Sequence, residues 1–560
     1  MPARKRWKSL PRAPKEFAED IGLPKLIAQL VYNRHITRPD LIDDFFNETT
    51  AKLHNPYLLP GMGESVSRLT HAIRSEETIG VFGDFDVDGV TATAILSDGL
   101  TKLGASIAPY IPHRVSEGHG LNSEAIQALR ASGTNLIITV DCGVTSHKEV
   151  LLASDLGMDV IITDHHTPPP NLPEALAVVN PKVQWSKYPF QELTGAGLAF
   201  KLIQGVYQHK GMPWPTDLLQ LAALGTVADL APLHNENRTI VREGLKGLSN
   251  STRPGILALM RRVGRLGQPI DTETIAFGLA PRLNASGRLD HAITSYQLLT
   301  SESTIEATTL ASQLEAFNQE RRSLTEASYS IAKQKVSMED DPPILVIGDE
   351  SFIPGIAGLI ASKLVDEFHR PAIVLSFEGD LARASARSIS GFNMIEALSS
   401  CEDLFQKVGG HAMAAGFTAP RENIPEVNDR LNEIGRFALE RVDLEPTLMV
   451  DAAASPSNLL GSTYEWLSKL EPHGVGNPKP IFFARSMNVL HSRTVGSEGQ
   501  HLSLSLSDGQ STWKGIAFRQ GDRHVHKEDT LDVIYNLTTN SFGNQNTIEM
   551  NIQDFRLSEN

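Results

Sequence analysis

Three carboxylates, Asp84, Asp86 and Asp88, occur at alternate positions between two glycines. They directly follow the apolar run at residues 78–82, which is typical of a buried strand, and a helical pattern begins at residue 90. Carboxylates at this spacing repel one another unless a cation lies between them, and Mg²⁺ and Mn²⁺ prefer oxygen ligands. The stretch therefore indicates either a metal site at a strand-to-helix turn or an acidic surface turn, where Asp and Gly are also common.

Further candidate ligands follow later apolar runs. Asp141 comes directly after one predicted strand. The triplet Asp164-His165-His166 comes directly after the next. Asp229 ends an apolar helical segment, where the helix dipole disfavours negative charge. Each signal has a structural alternative, since a strand-end histidine can be hydrogen-bonded in a core and a helix-end aspartate can bond nearby backbone. Because ligands gather beyond the carboxyl ends of parallel strands, we expect these residues to meet at one edge of a sheet.

The candidate metal ligands are five carboxylates and one imidazole, namely Asp84, Asp86, Asp88, Asp141, His165 and Asp229. This set carries too much negative charge for one divalent ion and suits two. Two ions about 3.5–4 Å apart can stabilise both the attacking and the leaving oxygen of a phosphoryl displacement, and a shared water becomes a hydroxide nucleophile near neutral pH. We predict that Asp141 bridges the ions. We predict that His166 donates to a phosphate oxygen or protonates the leaving group.

The elements that must position these residues alternate between strand and helix over residues 66–180. This alternation predicts parallel βαβ units with helices on both faces of a sheet, an α/β fold. Residues 1–65 and 197–300 carry mainly helical patterns. The long pattern over residues 304–336 indicates a connecting helix or, more weakly, a coiled coil.

A second α/β unit is predicted after Pro342, with residues 385–388 and 409–411 as its polar loops. After Pro446, five apolar runs at regular spacing indicate a small β-barrel. The predicted domains are residues 1–65, 66–235, 236–340, 341–445 and 446–560.

Composition limits the class of protein. The 560 residues carry a net charge of −15, which argues against coating nucleic acid by bulk charge but not against a local basic track. Two cysteines, Cys142 and Cys401, cannot form a disulfide framework or a thiolate zinc site. No apolar run approaches the ~18 residues of a membrane helix, and no signal core follows the basic N-terminus. We therefore expect a cytoplasmic protein.

Several of these motifs resemble those of known enzymes. The Asp86-Val87-Asp88-Gly89 element, Asp141 in its Val-Asp-Cys-Gly segment and the Asp-His-His triplet resemble the DHH phosphoesterase family. A fuller set resembles the RecJ family of bacterial single-strand-specific DNA exonucleases, in the same order from about Arg6 to the C-terminus. The motifs of that set are GDFDVDGVT at 83–91, GTVAD at 225–229, NASGR at 284–288, GGHAMAAG at 409–416 and GVGNP at 474–478.

This resemblance implies a DHH parallel-sheet catalytic lobe, a long connecting helix, a DHH-associated second lobe and a C-terminal barrel of the oligonucleotide-binding (OB) type. It implies that two Mn²⁺ or Mg²⁺ ions bind the six ligands named above, with Asp84 standing where other DHH enzymes carry a histidine, and that His166 contacts the scissile phosphate. The implied activity is 5′→3′ hydrolysis of single-stranded DNA, releasing 5′-nucleotides in DNA repair and recombination. The implied partners are a RecQ-type helicase and a single-strand-binding protein, and we expect a monomer without membrane attachment.

Substrate contacts are expected from arginines, because a guanidinium donates bidentate hydrogen bonds to phosphate. Ser385 and Arg387 lie in a segment that resembles the family's terminal-phosphate element. His411 follows two glycines whose amides can meet an anion. The alternatives are a surface or salt-bridged arginine and a buried histidine bonded to its turn. The candidate substrate contacts are Arg114, Arg282, Arg288, Ser385, Arg387 and His411.

Two departures from the family pattern affect the second lobe. Residues 351–358 lack the tryptophan and histidine that the family carries there, and Ala384 stands where the family has glycine. Two other functions remain open from the sequence. One is a DHH phosphodiesterase of short oligonucleotides, cyclic dinucleotides or pyrophosphate, and the other is a non-catalytic single-strand-binding scaffold.

Overall fold

The structure is a computed structural model that describes residues 5–47, 49–336, 342–440, 442–542 and 545–558. The chain divides into two compact units, one formed by Glu48–Val442 and the other by Met1–Asn47 together with Asp443–Asn560. The predicted domain boundary between residues 340 and 341 lies outside the described residues. None of the described helices is long and apolar enough to cross a membrane.

A short strand and three helices form the start of the chain: β1 (Arg6–Ser9), α1 (Phe17–Asp20), α2 (Lys25–Asn33) and α3 (Pro39–Phe46). The sequence predicts the two longer helices at 21–32 and 40–46, close to these bounds. It does not predict β1. This strand pairs in parallel with residues near the other end of the chain, so no local pattern marks it.

Five parallel strands form the first sheet of the larger unit. They are β2 (Thr78–Gly83), β3 (Ser106–Tyr110), β4 (Thr134–Val140), β5 (Asp159–Thr163) and β6 (Ala177–Val179). Their spatial order is β3-β2-β4-β5-β6, and every pair is parallel, which confirms the predicted sheet. The sequence does not predict β6, because three residues are too few to show a pattern.

Helices cover both faces of this sheet, as predicted. They are α4 (Met62–Arg74), α5 (Val87–Thr101), α6 (Ser123–Ala131), α7 (His147–Asp155) and α8 (Gly195–His209). Val81 and Ile138 lie in one core with apolar side chains of α5 and α8. Ile137 and Ile162 face the opposite core, which contains side chains of α6 and α7. Because both faces are buried, the strands are apolar throughout instead of alternating.

A helical region follows and ends in one long helix. Its members are α9 (Leu219–Ala228), α10 (Asn235–Ser249), α11 (Pro254–Arg262), a π-helical turn (Thr274–Leu279), α12 (Ala280–Leu289), α13 (Ile293–Thr300) and α14 (Thr304–Val336). Helix α14 packs against α11, α12 and α13 and, further along, against the second lobe. It is therefore the predicted connecting helix, since Leu314 packs in the core of the first lobe and Leu324 and Ile331 pack against that of the second.

The second lobe is a mixed sheet with three helices. Its elements are β7 (Leu345–Asp349), α15 (Pro354–Phe368), β8 (Ala372–Glu378), β9 (Leu381–Arg387), α16 (Met394–Ser399), β10 (Lys407–Gly410), β11 (Ala414–Pro420) and α17 (Ile424–Leu439). The strand order is β10-β11-β9-β8-β7. The prediction of polar loops at 385–388 and 409–411 was wrong for most of these residues. Ser385 and Arg387 lie in the central strand β9, which pairs on both sides, and Gly409 and Gly410 lie in the edge strand β10, which pairs with β11. This pairing outweighs their weak intrinsic preference for strands.

The C-terminal part of the smaller unit is a closed barrel. Its elements are β12 (Thr447–Val450), β13 (Ala452–Ala453), α18 (Ser462–Ser468), β14 (Phe482–Val495), β15 (His501–Ser507), β16 (Thr512–Ala517), β17 (Thr530–Phe542) and β18 (Gln545–Leu557). Strands β14, β15, β16, β18 and β17 pair in that order, and β17 pairs again with β14. This closure confirms the predicted OB-type barrel.

The N-terminal helices belong to the same unit as this barrel, and the GVGNP motif explains part of their attachment. The buried Arg34 donates from Nε to Asn477 Oδ1 at 2.6 Å. Asn477 Nδ2 in turn donates to the carbonyls of Leu470 and Pro472 at 2.7 and 2.8 Å. The motif therefore has a structural role, since its asparagine links helix α2 to the chain that leads into the barrel.

Candidate functional site

The carboxyl ends of three neighbouring strands carry most of the predicted metal ligands. The triple-aspartate turn follows β2, Asp141 follows β4, and the Asp-His-His triplet follows β5. These strands are adjacent in the sheet, so their ends lie side by side. Asp229 reaches the same edge from the C-terminal end of α9.

The structure brings the six predicted ligands into two groups, and a third group of the same kind joins Asp141 and His165 to His166. In each group, one ligand atom from every member lies within 4.8 Å of those of the others. The first group is Asp84, Asp86 and Asp141, and the second is Asp88, His165 and Asp229. His165 Nε2 joins the groups, because it lies 3.0 Å from Asp141 Oδ1 and within 4.0 Å of an oxygen of Asp88 and of Asp229. Asp141 is thus placed between two sets of acids.

Helix termini hold two of these carboxylates. Asp86 caps the N-terminus of α5, where its Oδ1 accepts from the amides of Asp88 and Gly89 at 2.9 and 3.1 Å. Asp88 accepts from the amides of Gly195 and Ala196 at 2.6 and 2.9 Å, at the start of α8. Free amides at a helix N-terminus favour negative charge, which explains how these acids are tolerated in the interior.

Two glycines leave room for the acids. A β-carbon at Gly225 would lie 2.6 Å from Asp88 Oδ1, and one at Gly195 would lie 2.5 Å from the β-carbon of Asp141. Both approaches are closer than a side chain can tolerate. Asp141 itself has a left-handed backbone with φ of 63°, a conformation that Asp adopts more readily than most residues. The GTVAD motif thus supplies both a ligand and the space beside another.

The donor set fits divalent cations. Asp84 Oδ1 and Asp141 Oδ1 are buried and, among the described residues, make no hydrogen bond. Burial, followed by the neighbouring carboxylates, raises the pKa of Asp88 and Asp141 well above the usual range. Burial lowers the pKa of His165 to about 3, so its imidazole is neutral and can ligate. Crowded carboxylates beside a neutral imidazole are the ligands expected around hard or borderline ions such as Mg²⁺ and Mn²⁺.

His166 has a different environment from its neighbour. Its Nδ1 lies 2.8 Å from Asp164 Oδ1, and this hydrogen bond, opposed by burial, raises the pKa of His166 to about 8. Asp164 is fixed in turn, because its Oδ2 accepts from the Val144 amide at 2.9 Å. About half of the His166 side chain is exposed. The imidazole is therefore an oriented proton donor at the edge of the acidic groups.

Three of the predicted substrate contacts, Arg114, Arg288 and Arg387, form a second charged group, which we name the arginine group. Burial lowers the pKa of all three, and repulsion from Arg114 contributes for the other two. For Arg288 the pKa falls to about 9. Asp84 and Asp86 act on Arg114 in the opposite direction, so the arginine group borders the acids. Three cations that repel one another in this way favour a bound anion.

The second lobe helps to fix this group. Arg288 Nη1 donates to the carbonyl of Gly355 at 3.0 Å, in the first turn of α15. Arg387 packs against the same helix, because a β-carbon at Gly358 would lie 2.9 Å from its Nη2. The two arginines thus meet one turn of one helix.

The remaining predicted substrate contacts are placed differently. Arg282 is engaged with Glu315 at 2.5 Å and with the carbonyl of Gly278 at 2.7 Å, so its guanidinium is satisfied within the helical region. Ser385 lies two residues before Arg387 on β9 and pairs with Gly416. His411 is exposed in the β10–β11 turn, where its amide donates to the carbonyl of Ala414. Because Ala414 pairs with Arg387, this turn lies beside the Arg387 end of β9.

Other residues at the site are not predicted from the sequence. Asn284 Oδ1 accepts from the Val87 amide at 3.2 Å, so the NASGR motif supports the first turn of α5 as well as supplying Arg288. Asn180, just after β6, donates to the carbonyl of His166 at 2.9 Å. Lys182 lies two residues later. Its charge adds to the effect of burial that lowers the pKa of His165, and it opposes the rise that burial causes in the pKa of Asp229. Asn180 and Lys182 follow the end of β6, as the predicted ligands follow other strands. The sequence does not reveal this position, because β6 is too short to be predicted.

Comparison with known families agrees with this architecture. Residues 78–226 match the N-terminal domain of the DHH family, residues 341–435 match the DHHA1 domain, and residues 450–554 match the RecJ OB domain. The single-stranded-DNA-specific exonuclease RecJ of Bacillus subtilis is 36% identical over 550 residues, which cover 97% of this chain and 70% of that protein. The chain belongs to the RecJ family.

Other RecJ proteins show similar relationships. The single-stranded-DNA-specific exonuclease RecJ of Escherichia coli is 33% identical over 91% of this chain and 93% of its own length. A crystal structure of RecJ from Thermus thermophilus in complex with Mn²⁺ superposes with a TM-score of 0.84 at 31% identity, covering 100% of this chain and 80% of that one. A complex of the same protein with Mg²⁺ gives a TM-score of 0.79 at 29% identity, covering 100% and 79%. The RecJ fold with its two lobes and barrel is thus shared.

Proposed function

We propose that this RecJ-family protein is a single-stranded-DNA-specific exonuclease that hydrolyses phosphodiester bonds with the help of two divalent metal ions. The observation that carries the proposal is the pair of acidic ligand groups joined at Asp141 and His165. RecJ proteins of B. subtilis and E. coli are exonucleases of this specificity, and the T. thermophilus protein binds Mn²⁺ and Mg²⁺. The ions here are accordingly Mn²⁺ or Mg²⁺.

Each ligand group would hold one ion. Asp84 and Asp86 would hold the first ion, and Asp88, His165 and Asp229 would hold the second. Asp141 belongs to the first group and lies 3.0 Å from His165, so it would contribute to both. The two ions would supply an activated water molecule and neutralise charge on the phosphate. The chain orients these ligands through the N-termini of α5 and α8, so little rearrangement is needed on binding.

His166 acts on the substrate from the border of the metal groups. With its pKa raised to about 8 by Asp164, it is protonated at neutral pH. It donates a hydrogen bond to an oxygen of the scissile phosphate and stabilises the charge that develops there. Asp164 keeps the ring in one orientation, so its own role is positional.

The arginine group would bind the terminal phosphate of the strand. Guanidinium groups suit phosphate oxygens, and the mutual repulsion of three buried arginines is relieved by a dianion. Because this group borders the Asp84 and Asp86 side of the acids, a strand held by its end presents its first phosphodiester to the ligands. We assign the 5′ end to this position, which gives 5′→3′ degradation and release of 5′-nucleotides.

The barrel would also bind single-stranded DNA. A polar row crosses three of its strands, where His491 pairs with Ser505 and Ser505 pairs with Lys514. Phe518, at the end of β16, is 54% exposed and is available for base stacking. Basic and aromatic side chains on an OB barrel are typical of single-strand binding.

The wider setting is also part of the proposal. DNA repair and recombination, a cytoplasmic location, a monomeric state, and cooperation with a RecQ-type helicase and a single-strand-binding protein all fit a strand-degrading enzyme. Each of these follows from the activity and stands or falls with it.

End-labelled digestion tests the proposal. Single-stranded and duplex DNA and RNA, labelled at either end, would be incubated with and without Mn²⁺. We expect early release of a labelled nucleotide from the 5′-labelled DNA strand and a shrinking ladder from the 3′-labelled one, only with the metal. Release first from the 3′ label would contradict the assigned polarity. Cleavage confined to dinucleotides, or strand binding without any hydrolysis, would support one of the two alternative functions instead.

A further inference from the structure

The loop that follows β3 reaches the metal ligands, although it contributes none of them. Glu117 anchors this loop, since its carboxylate accepts from the His113 amide at 2.7 Å, from the Tyr110 hydroxyl at 2.7 Å and from Asn122 Nδ2 at 3.1 Å. The backbone turns on both sides of His119. Gly118 and Gly120 have φ of 81° and 79°, in the left-handed region that favours glycine. His119 is thus presented from a loop that Glu117 anchors.

His119 meets the first aspartate of the triple-aspartate turn. Its Nδ1 lies 3.5 Å from Asp84 Oδ2. Its ring packs on Phe85, with centroids 4.4 Å apart, and the Arg114 guanidinium lies 4.7 Å from the same Phe85 ring. Phe85, which lies between Asp84 and Asp86 in the sequence, is buried. Its contact with His119 joins the loop after β3 to the triple-aspartate turn.

The two oxygens of Asp84 have different surroundings. Oδ2 faces His119, whereas Oδ1 is buried and, among the described residues, makes no hydrogen bond. Asp84 belongs to the ligand group with Asp86 and Asp141, but His119 does not, because its nitrogen lies near Asp84 alone. One oxygen is therefore available for a cation while the other has a neighbour that can hold it.

We propose that His119 is a positioning residue for the metal centre: it donates from Nδ1 to Asp84 Oδ2 and fixes the carboxylate for binding the ion shared with Asp86 and Asp141. The inference rests on the proposed two-metal function and specifies how one ligand is oriented. Hydrogen bonds to ligating carboxylates and imidazoles typically change metal affinity about 10- to 100-fold. The side chain is mostly exposed, so we place the effect at the lower end of that range.

Metal titration of the full-length chain without DNA tests this directly. Isothermal calorimetry with Mn²⁺ would compare the metal-stripped wild type with His119→Ala and His119→Asn. Asparagine can place its Nδ2 donor near the position of the histidine Nδ1. His209→Ala is the matched control, since His209 is an exposed histidine at the end of α8 in the same lobe.

We expect His119→Ala to weaken one of two Mn²⁺ sites about tenfold. His119→Asn should recover most of the affinity, and His209→Ala should bind as the wild type does. The Mn²⁺ concentration for half-maximal hydrolysis should rise in parallel, while the unfolding temperature without metal stays close to that of the wild type. Unchanged affinity at both sites in His119→Ala, or equal losses in the alanine and asparagine variants, would overturn the inference alone. A wild type that binds no Mn²⁺ would overturn the proposed two-metal function as well.

Discussion

The acidic ligand groups and the arginine group lie next to each other but are assembled in opposite ways. The acids come from consecutive strand ends of one parallel sheet and from one helix end. The arginines come from a loop after β3, from α12 and from β9 in the second lobe. A sheet edge collects its residues by local rules, whereas the arginine group exists only because the two lobes pack together.

Electrostatics shows why the two groups belong together. Burial raises the pKa of Asp86 and Asp88 and lowers the pKa of Arg288 and Arg387, so each group is unfavourable by itself. The acids need cations and the arginines need an anion. Under the proposed function, a DNA end with bound metal ions would supply both. Adjacent buried groups of opposite charge suit a ligand that carries both charges.

The largest expected effect comes from removing the residue shared by the two acidic groups. Asp141→Ala should reduce hydrolysis by about a thousandfold or more, because neither ion would keep its full ligand set, while single-strand binding changes little. Digestion rates and filter binding measure the two properties.

Asp141→Asn is a second variant, because asparagine tolerates the left-handed backbone better than alanine does. Asp155→Ala, an exposed aspartate at the end of α7, is the control. Turnover at the wild-type rate in both Asp141 variants would exclude the shared-ligand assignment.

The arginine group predicts a smaller effect that depends on the chemistry of the strand end. Arg387→Ala should lower kcat/KM about 10- to 100-fold for strands with a 5′-phosphate, since a charge-assisted hydrogen bond contributes roughly 1.5–3 kcal/mol. The loss should be weaker for strands with a 5′-hydroxyl. Arg383→Ala is the matched control, because Arg383 lies on the same strand and pairs with Glu378. Equal losses on both kinds of end would refute phosphate recognition by this group.

Protons and Mn²⁺ should compete for the carboxylates of the acidic groups. The expected change in Mn²⁺ affinity with pH is no larger than the effect of Arg387→Ala. Burial, followed by repulsion from Asp86, raises the pKa of Asp229 to about 7 in the metal-free protein. Its carboxyl must lose a proton to bind an ion, so Mn²⁺ affinity should rise about tenfold between pH 6 and pH 8. Asp229→Asn should bind Mn²⁺ more weakly and show a smaller pH dependence, while Asp88 and Asp141, whose pKa values are also raised, keep the remainder. Calorimetry at the two pH values measures it, and a pH-independent affinity in the wild type would contradict the argument.

The same raised pKa has a consequence for stability. The folded state binds the Asp229 proton more tightly than the unfolded state does, so this contribution is present at low pH and is lost as the pH rises through about 7. The contribution of Asp229 should therefore make the metal-free protein unfold at a lower temperature at pH 8 than at pH 5.5. Added Mn²⁺ should reverse the loss, because the cation replaces the proton.

The smallest effect is expected in the barrel, which has neither group. Lys514→Glu should weaken binding of long single strands about threefold and reduce the dependence of log K on log salt by about 0.7 for one phosphate contact. Hydrolysis of very short strands should stay near the wild-type rate. Lys527→Glu, an exposed lysine in the turn before β17, is the control. Similar losses from both substitutions would show that general charge, and not a defined track, decides binding.

The sequence predicts that the acidic residues meet at one sheet edge. Asp84, Asp141 and His165 follow apolar strands, and parallel strands align their carboxyl ends. The strand order that makes β2, β4 and β5 neighbours is decided by the tertiary structure. The GTVAD and NASGR motifs can be recognised in the sequence, but the roles of Gly225 and Asn284 within them cannot. Gly225 leaves space for the carboxylate of Asp88, and Asn284 accepts a hydrogen bond from the first turn of α5.

The wrong and missing predictions share one physical cause. Strand β9 carries small and charged residues with weak strand preference, and only its two neighbours in the sheet make it a strand. Strand β1 forms only because its partner returns from the far end of the chain. His119 resembles any exposed loop histidine until Glu117 and two glycines place it beside Asp84.

Sequence patterns alone predict the parallel sheet, the acidic residues at its edge, the connecting helix and the closed barrel, because these depend on periodicity and on residue type at strand ends. Only the tertiary structure decided which acids share an ion group, that Arg114, Arg288 and Arg387 meet while Arg282 is engaged elsewhere, and that His119 reaches Asp84. Local patterns fix elements through backbone geometry, whereas contacts between distant elements depend on how those elements pack.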